Sequence, residues 1–427
     1  MELTFVVPSH NNLRHLKNLY TSVKKHAPDC KLVFLDDAST DGTYEWLLEI
    51  AKTDANVYEP YRSEDRVGHT ILYDVGIDIA QEEVVGILHA DMIVGPNYVQ
   101  NLLKHLKPKT VVCGTRVEPP LHPPGREKII MNFGMDFDDL NVEAFDKFAI
   151  ETQAEFKDKV TYGMFAPWII RKEDFVAMGG HDALFAPFPY EDSDIFQRWI
   201  LSGYRLIQSR DAFVYHLTCR GHRWGEQVGK DDDYFVAANA RSAMNYIRKW
   251  GSWIQNDEYH HPILCPRYSI GLRLKNFRDA TANSLLSTIE PYLDDIRTNA
   301  NVSEYIQSTQ DSTPYDLSEK IKSDAEPMDN EIEIIIDYLA ASQSPVPLGN
   351  YILDVVNLQS TIRNKQLEMG DYAQLQAPIE FNTTSLKVKI NRFDSKLTPI
   401  VSSETKRKFY VNDRLMECVK PVIKNVF

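Results

Sequence analysis

The sequence predicts an α/β fold, a mostly parallel sheet flanked by helices, followed by a mainly α-helical C-terminal region. Three observations predict it. Short β-rich runs alternate with helical spacings from Leu3 to about Val117, and that alternation builds parallel sheets with right-handed crossovers. Polar groups collect where the strands end, at Ser9 to Asn12, Asp36-Asp37 and His89 to Asp91, and in such sheets ligands sit at the carboxyl ends of strands. After about residue 225 the alternation gives way to longer helical spacings.

Taken in order, Leu3 to Val7 is a short β-rich run, and Asn12 to His26 carries Leu13, Leu16, Leu19 and Val23 at helical spacing. Lys31 to Leu35 is a second strand ending in Asp36-Asp37, after which Ser39 or Thr40 offers an N-cap for a helix from about Asp41 to Lys52. Asn56 to Tyr61 is a third strand, Thr70 to Ile79 a helix, Glu83 to His89 a fourth strand, Asn97 to Leu106 a helix and Thr110 to Val117 a strand. Pro119, Pro120, Pro123 and Pro124 mark an irregular stretch, followed by an acidic, partly helical insertion around Asp136 to Phe156. Ala166 to Arg171 and Arg205 to His216 read as strands, with a helix over Glu191 to Ser202 between them. Beyond, Asp231 to Trp250 and Ala280 to Ala300 are helical, the latter with a kink or restart at Pro291. Residues 308–330 are polar and suit a linker. Glu331 to Ala341 and Ile352 to Leu367 are further helices, and Leu386, Val388 and Ile390 alternate with polar residues in one strand. The sequence shows no internal repeat.

A chain of 427 residues is too long for one compact core, so two or more domains are expected. Hydrophobic residues make up 43% and aromatics 11%, which suits a folded chain. No apolar run reaches the length of a membrane span, and the first residues open directly on a strand rather than on a basic, cleavable leader. The cysteines Cys30, Cys113, Cys219, Cys265 and Cys418 are scattered without metal-type spacing, so reduced thiols in a cytoplasmic setting are expected and the Asn301 and Asn382 sequons carry no weight. A net charge of -14 argues against a protein that coats nucleic-acid phosphates.

The candidate chemistry lies at the strand ends. The stretch around Ser9 reads alone as a strand followed by a helix cap. Asp36 and Asp37 suit either a cap or a base and ribose hydroxyls, because carboxylates accept hydrogen bonds from a ring N–H or a diol. Asp91 offers a hard oxygen ligand and His89 an imidazole, although alone this stretch favours a cap. Glu191, Asp192 and Asp194 open a helix, where acids are favourable, and also supply a candidate general base. His216 ends a strand, either as a structural histidine or as a partner for Asp91 in a metal site. Arg220 and Arg223 either grip a diphosphate or stay solvated, and the segment Leu217 to Gly229 that carries them is a lid or an ordinary surface loop. Trp168, Phe185, Phe188 and Tyr190 stack on a sugar ring or belong to the core.

In order, these pieces resemble one family. A strand ending in PSHNN, then DDASTDGT, a Gly68-to-Gly76 stretch with Asp74, an alanine-aspartate at the fourth strand, a Gly-Gly with a Glu-Asp pair and a histidine resemble the family two glycosyltransferases with the Rossmann-like GT-A fold, over residues 1 to about 225. The resemblance implies transfer of a sugar from a nucleoside diphosphate sugar, often a UDP-sugar, with Mn²⁺ or Mg²⁺ and with inversion. It implies that Pro8, through its backbone, and Asp37 hold the base, with Ser9, Asp36, Gly68, Asp74, His89, Ala90, Arg220 and Arg223 around the donor nucleotide. It implies that Asp91 and His216 bind the metal, that Asp192 is the general base, and that Glu191 orients the acceptor, with Trp168 and Tyr190 beside it. His89 stands where the family more often has an aspartate. The expected division is a catalytic domain over 1–225, a helical extension packed on it over 226–307, a linker over 308–330 and an α+β region over 331–427.

A second reading is a non-catalytic nucleotide-sugar-binding or scaffold protein that acts through its C-terminal half; Asp192 speaks against it. A sugar-phosphate nucleotidyltransferase would need a glycine-rich, basic loop after the first strand, which PSHNN is not. Acceptors in range are a glycan, a lipid-linked sugar, a protein or modified nucleic acid, and the C-terminal half offers a surface for oligomers. The basic run Arg267 to Arg278 reads as a solvated face rather than a phosphate contact.

Overall fold

The structure is a computed structural model that describes residues 2–220, 223–224, 228–264, 267–369, 378–393, 407–411 and 414–418. The chain forms two compact units. The first runs to Asn239 and takes in Gln255–Ile263; the second takes in Ala240–Ile254 and the described residues from Leu264 to Phe393.

The first unit runs β1 (Leu3–Ser9), α1 (Leu13–His26), β2 (Lys31–Asp36), α2 (Thr43–Thr53), β3 (Tyr61–Arg62), α3 (His69–Ile79), β4 (Val84–Ile87), β5 (Met92–Val94), α4 (Tyr98–Leu103), β6 (Thr110–Glu118), β7 (Lys128–Ile130), α5 (Val142–Phe156), β8 (Val160–Thr161), β9 (Trp168–Arg171), α6 (Lys172–Ala177), α7 (Glu191–Leu201) and β10 (Arg205–His216). Helix α8 (Asp233–Trp250) follows. The sheet has the order β3-β2-β1-β4-β9-β6-β10-β5, with β7 on β6 and β8 on β10. Strands β1, β2, β3 and β4 are mutually parallel, β9 is antiparallel to both β4 and β6, and β6 is parallel to β10. The third strand is shorter than the sequence suggests: Val57 makes an isolated bridge to Leu32, and only Tyr61 and Arg62 enter the ladder.

Strand β1 is buried on both faces, as a central parallel strand must be. Its side chains alternate: Val6 packs with Leu35, Ile77 and Trp199, while Phe5 and Val7 pack with Leu16, Phe34 and Leu88 on the other face. Helix α1 presents Leu16, Leu19 and Val23 to that second face, which is why its apolar residues recur at helical spacing.

The second unit runs β11 (Ile270–Lys275), α9 (Asp279–Ile289), β12 (Asp295–Thr298), α10 (Ser303–Thr309), α11 (Leu317–Lys320), β13 (Ile321–Lys322), β14 (Ile332–Asp337), α12 (Tyr338–Gln343), α13 (Leu348–Val356), α14 (Leu358–Met369), β15 (Ile379–Asn382) and β16 (Lys387–Ile390). Helices α9 to α14 of this unit accompany a six-stranded sheet of order β13-β12-β11-β14-β16-β15, of which the sequence suggested one strand. Two helices expected from the sequence are corrected. The one over Ala280 to Ala300 ends at Ile289, because Pro291 interrupts the ladder, and Asp295–Thr298 is a strand. The one over Glu331 to Ala341 is strand β14, whose Ile332, Ile334 and Ile336 are buried while Ile335 between them is exposed, a period of two. Residues 308–330, expected as a linker, carry α11 and β13, and Leu317 and Ile321 are buried in the core of this unit.

Cys30, Cys113 and Cys219 are free, and Cys265 lies outside the described residues. No helix among the described residues is long and apolar enough to cross a membrane.

Candidate active site

Strand pairing builds the site. Ser9 lies beside Asp36 in the β1–β2 ladder, and His216 lies opposite Met92 in the antiparallel β10–β5 pair, so the end of β10 meets the turn after β4. The amide of Leu217 bonds the Asp91 carbonyl at 3.1 Å. As a result His89, Asp91 and His216 offer ligand atoms all within 4.8 Å of one another. Asp91 is 2% exposed; its Oδ1 lies 3.6 Å from His216 Nε2, and its Oδ2 accepts from the Arg220 amide at 3.0 Å. The other imidazole nitrogen, His216 Nδ1, faces Glu118 Oε1 at 3.2 Å. Burial works to raise the Glu118 carboxyl, but Arg116, His216 and Lys128 outweigh it and hold the group ionised. A carboxylate behind a histidine fixes the ring's orientation and leaves its far nitrogen for a metal.

A cleft enclosing about 410 Å³, solvent at its mouth included, opens beside this cluster. Pro8, Ser9, Asp37, His89 and Ala90, all expected from the sequence, line it together with His10, Arg66, His69, Tyr73 and Phe188. The Ser9 hydroxyl is buried and has no hydrogen-bond partner among the described residues, so it is available to a ligand. Asp37 is otherwise engaged: Oδ1 accepts from the Val67 amide at 2.7 Å and the Ser63 hydroxyl at 3.2 Å, and Oδ2 from the Gly68 amide at 3.0 Å. Its carboxylate therefore anchors the loop before α3. Its carbonyl meets His10 Nδ1 at 2.5 Å.

Glu191 and Asp192 open α7. Glu191 Oε1 lies 2.7 Å from His69 Nε2, and His69 stacks on Phe188 at 5.3 Å. Burial pushes both carboxyls up, each to about 7, and the Glu191 charge adds to the effect at Asp192. Burial takes His69 the other way, down to about 4. Asp192 Oδ1 has no hydrogen-bond partner among the described residues.

Several expected donor and acceptor residues sit elsewhere. Asp36 is fully buried behind the cleft, tied to the Ser39 amide at 3.3 Å and to Arg62 at 3.4 Å, and burial raises its carboxyl. Asp74 holds the His181 amide and ring at 3.1 and 2.7 Å. Gly68 has a φ of +83 and packs so closely on Pro187 that a Cβ would lie 2.2 Å from that ring, so its role is close packing. Arg223 pairs with Asp231 at 2.7 Å, and Arg220 pairs with Asp136 at 2.9 Å. Trp168 is fully buried, edge-on to Trp199 at 5.1 Å, and offers no face to a sugar. Tyr190 is half-buried with a φ of +84, its hydroxyl bonded to Asn239 at 3.2 Å. The expected lid, Leu217 to Gly229, falls partly outside the described residues. Of the cleft residues, Arg66 and His69 had one signal in the sequence: they flank Val67-Gly68 at the head of α3.

Residues 4–178 match the profile of glycosyl transferase family 2. No curated protein sequence matches the chain. Among solved structures, the mannosyltransferase PcManGT from Pyrobaculum calidifontis in complex with GDP-Man and Mn²⁺ is 18% identical, with a TM-score of 0.39 over 58% of this chain and 63% of that one. GalNAc-T7 with UDP, GalNAc and Mn²⁺ is 17% identical, with a TM-score of 0.44 over 73% of this chain and 55% of that one. TarS from S. aureus in complex with UDP is 15% identical, with a TM-score of 0.37 over 50% of this chain and 60% of that one. The chain thus spans 55 to 63% of the length of these three proteins. The parallel sheet with its cleft at the strand ends and the profile match lead to one identification: residues 4–178 belong to glycosyl transferase family 2, and the unit they head has the GT-A fold.

Proposed function

We propose that the protein is an inverting glycosyltransferase that moves a sugar from a nucleoside diphosphate sugar, a UDP-sugar in the first instance, to a hydroxyl acceptor. The observation that carries the reading is the His89, Asp91 and His216 cluster beside the cleft. Two imidazoles and one carboxylate suit Mn²⁺, and suit Mg²⁺ less well because of the nitrogens. A divalent ion there would supply Lewis-acid neutralisation of the departing diphosphate. Glu118 holds His216 in place for that role, and the Arg220 amide holds Asp91.

Asp192 takes the proton of the acceptor hydroxyl. A carboxylate raised to about 7 is a stronger base than an ordinary aspartate and is still ionised in part at neutral pH. Glu191 is tied to His69 through Oε1, whereas Asp192 Oδ1 has no hydrogen-bond partner among the described residues, so Asp192 is the member free to act. Displacement from the face opposite the leaving group inverts the sugar centre.

The test is calorimetric titration with UDP, GDP, CDP and TDP, each with and without Mn²⁺, on the wild type and on Asp91→Ala. The expected result is tight binding of one nucleotide only with metal, and loss of that metal dependence in the variant. Binding of no nucleotide would overturn the reading and favour a scaffold protein.

A further inference from the structure

We propose that Arg66 is the protein cation that grips the donor's diphosphate. This rests on reading the cleft as a donor site. Arg66 lines the cleft with Ser9, His89 and Ala90. Its Nε is buried and has no hydrogen-bond partner among the described residues, and no carboxylate among them lies within ion-pair distance of it. The guanidinium instead lies over two rings, 4.1 Å from the centroid of Tyr234 and 5.7 Å from that of Phe188. Every other arginine near the site is committed: Arg116 to Glu118, Arg220 to Asp136 and Arg223 to Asp231.

Aromatic faces hold a guanidinium by its plane and leave its N–H edge for planar, two-point contact with phosphate oxygens. The loop is aimed from below: Asp37 binds the amides of Val67 and Gly68, the two residues after Arg66. Charge gives the reason for a second cation. A sugar nucleotide brings two phosphate charges and the departing nucleotide a third, whereas a divalent ion beside the Asp91 carboxylate leaves one net positive charge. In a chain of net charge -14 the remainder needs a local cation, and Arg66 is placed to be it.

The experiment compares wild type, Arg66→Gln and Arg66→Lys by calorimetric titration with UDP and UMP in the presence of Mn²⁺, with melting curves run in parallel. Arg66→Gln is expected to weaken UDP by about 10- to 100-fold and to leave UMP within about 3-fold. Arg66→Lys keeps the charge without the fork and is expected to lose less. Equal losses for UDP and UMP, or none, would overturn the assignment while leaving the donor site itself in place. Should Arg66→Gln fail to fold, Arg66→Met serves as the second charge-removing variant, and an unchanged UDP affinity in it would overturn the assignment as well. A wild type that binds neither nucleotide fails at the level of the donor site, and the proposal falls with it.

Discussion

In the first unit β1 lies between β2 and β4, with β3 outside β2 and the antiparallel β9 beyond β4; in the second, β11 lies between β12 and β14, with β13 outside β12 and the antiparallel β16 beyond β14. Five strands thus repeat in order and direction. Their carboxyl ends do not repeat. Where β2 ends in Asp36-Asp37 and β4 leads into His89-Ala90-Asp91, β12 ends in Thr298-Asn299 and β14 ends in Asp337-Tyr338. Asp337 is used locally: it caps α12 through the Leu339 amide at 3.0 Å and accepts from Asn276 at 2.9 Å. Among the described residues the second unit holds no cluster of metal-ligating groups. Among the described residues the metal-ligating cluster and the cleft beside it lie at the strand ends of the first unit, so the two units differ in their strand ends and not in this topology.

The sharpest way to test this contrast is at the acid pair. Asp192→Asn is expected to lower transfer by about 10²- to 10⁴-fold with nucleotide affinity unchanged; a variant that still turns over normally has its base elsewhere. In the wild type, transfer should rise with pH through about 7 as Asp192 loses its proton. Because its pKa is raised on folding, the group contributes stability at acid pH that is lost as pH climbs from the ordinary aspartate range through about 7. The Asn variant should therefore be more stable than wild type above neutrality, by about 1–2 kcal/mol in denaturant titrations at pH 8.

Next in size is Glu118. Its replacement by Gln keeps the shape but removes the charge behind His216, and Mn²⁺ affinity measured by titration should fall by about 10- to 100-fold. Unaltered metal affinity would mean that His216 needs no orienting partner. The smallest effect belongs to the second unit. Asp337→Ala removes a helix cap and should lower the melting temperature by about 2–4 °C while nucleotide binding keeps its affinity and a stoichiometry of one per chain. Two nucleotides per chain in the wild type would break the comparison, since both sheets would then hold sites.

The sequence showed the first sheet because each strand is short, β-rich and followed by a helix of clear period, and it put Pro8, Ser9, Asp37, His89 and Ala90 at strand ends, where the cleft is. It hid what depends on partners. Nothing in the local spacing distinguishes Asp37, facing the cleft, from Asp36, turned to Arg62 behind it, because neighbours on a strand point to opposite faces. Trp168 looked like a sugar platform because its depth under Trp199 is a tertiary fact. Arg66 drew no notice because its character lies in the carboxylate it lacks. The second sheet was missed because Ile332 to Ile336 is apolar at nearly every position, a pattern that reads as helix or strand alike.

The close seat of Gly68 against Pro187 also limits how this protein can change over generations. Any side chain at that position would meet Pro187, four residues before Glu191, and would need a left-handed backbone that side chains resist. A substitution there shifts the loop held by Asp37 and the segment leading to Asp192 in one stroke. Drift at Gly68 is therefore closed off by geometry, while neighbouring exposed positions of the same loop, such as Glu64 and Asp65, remain open to variation.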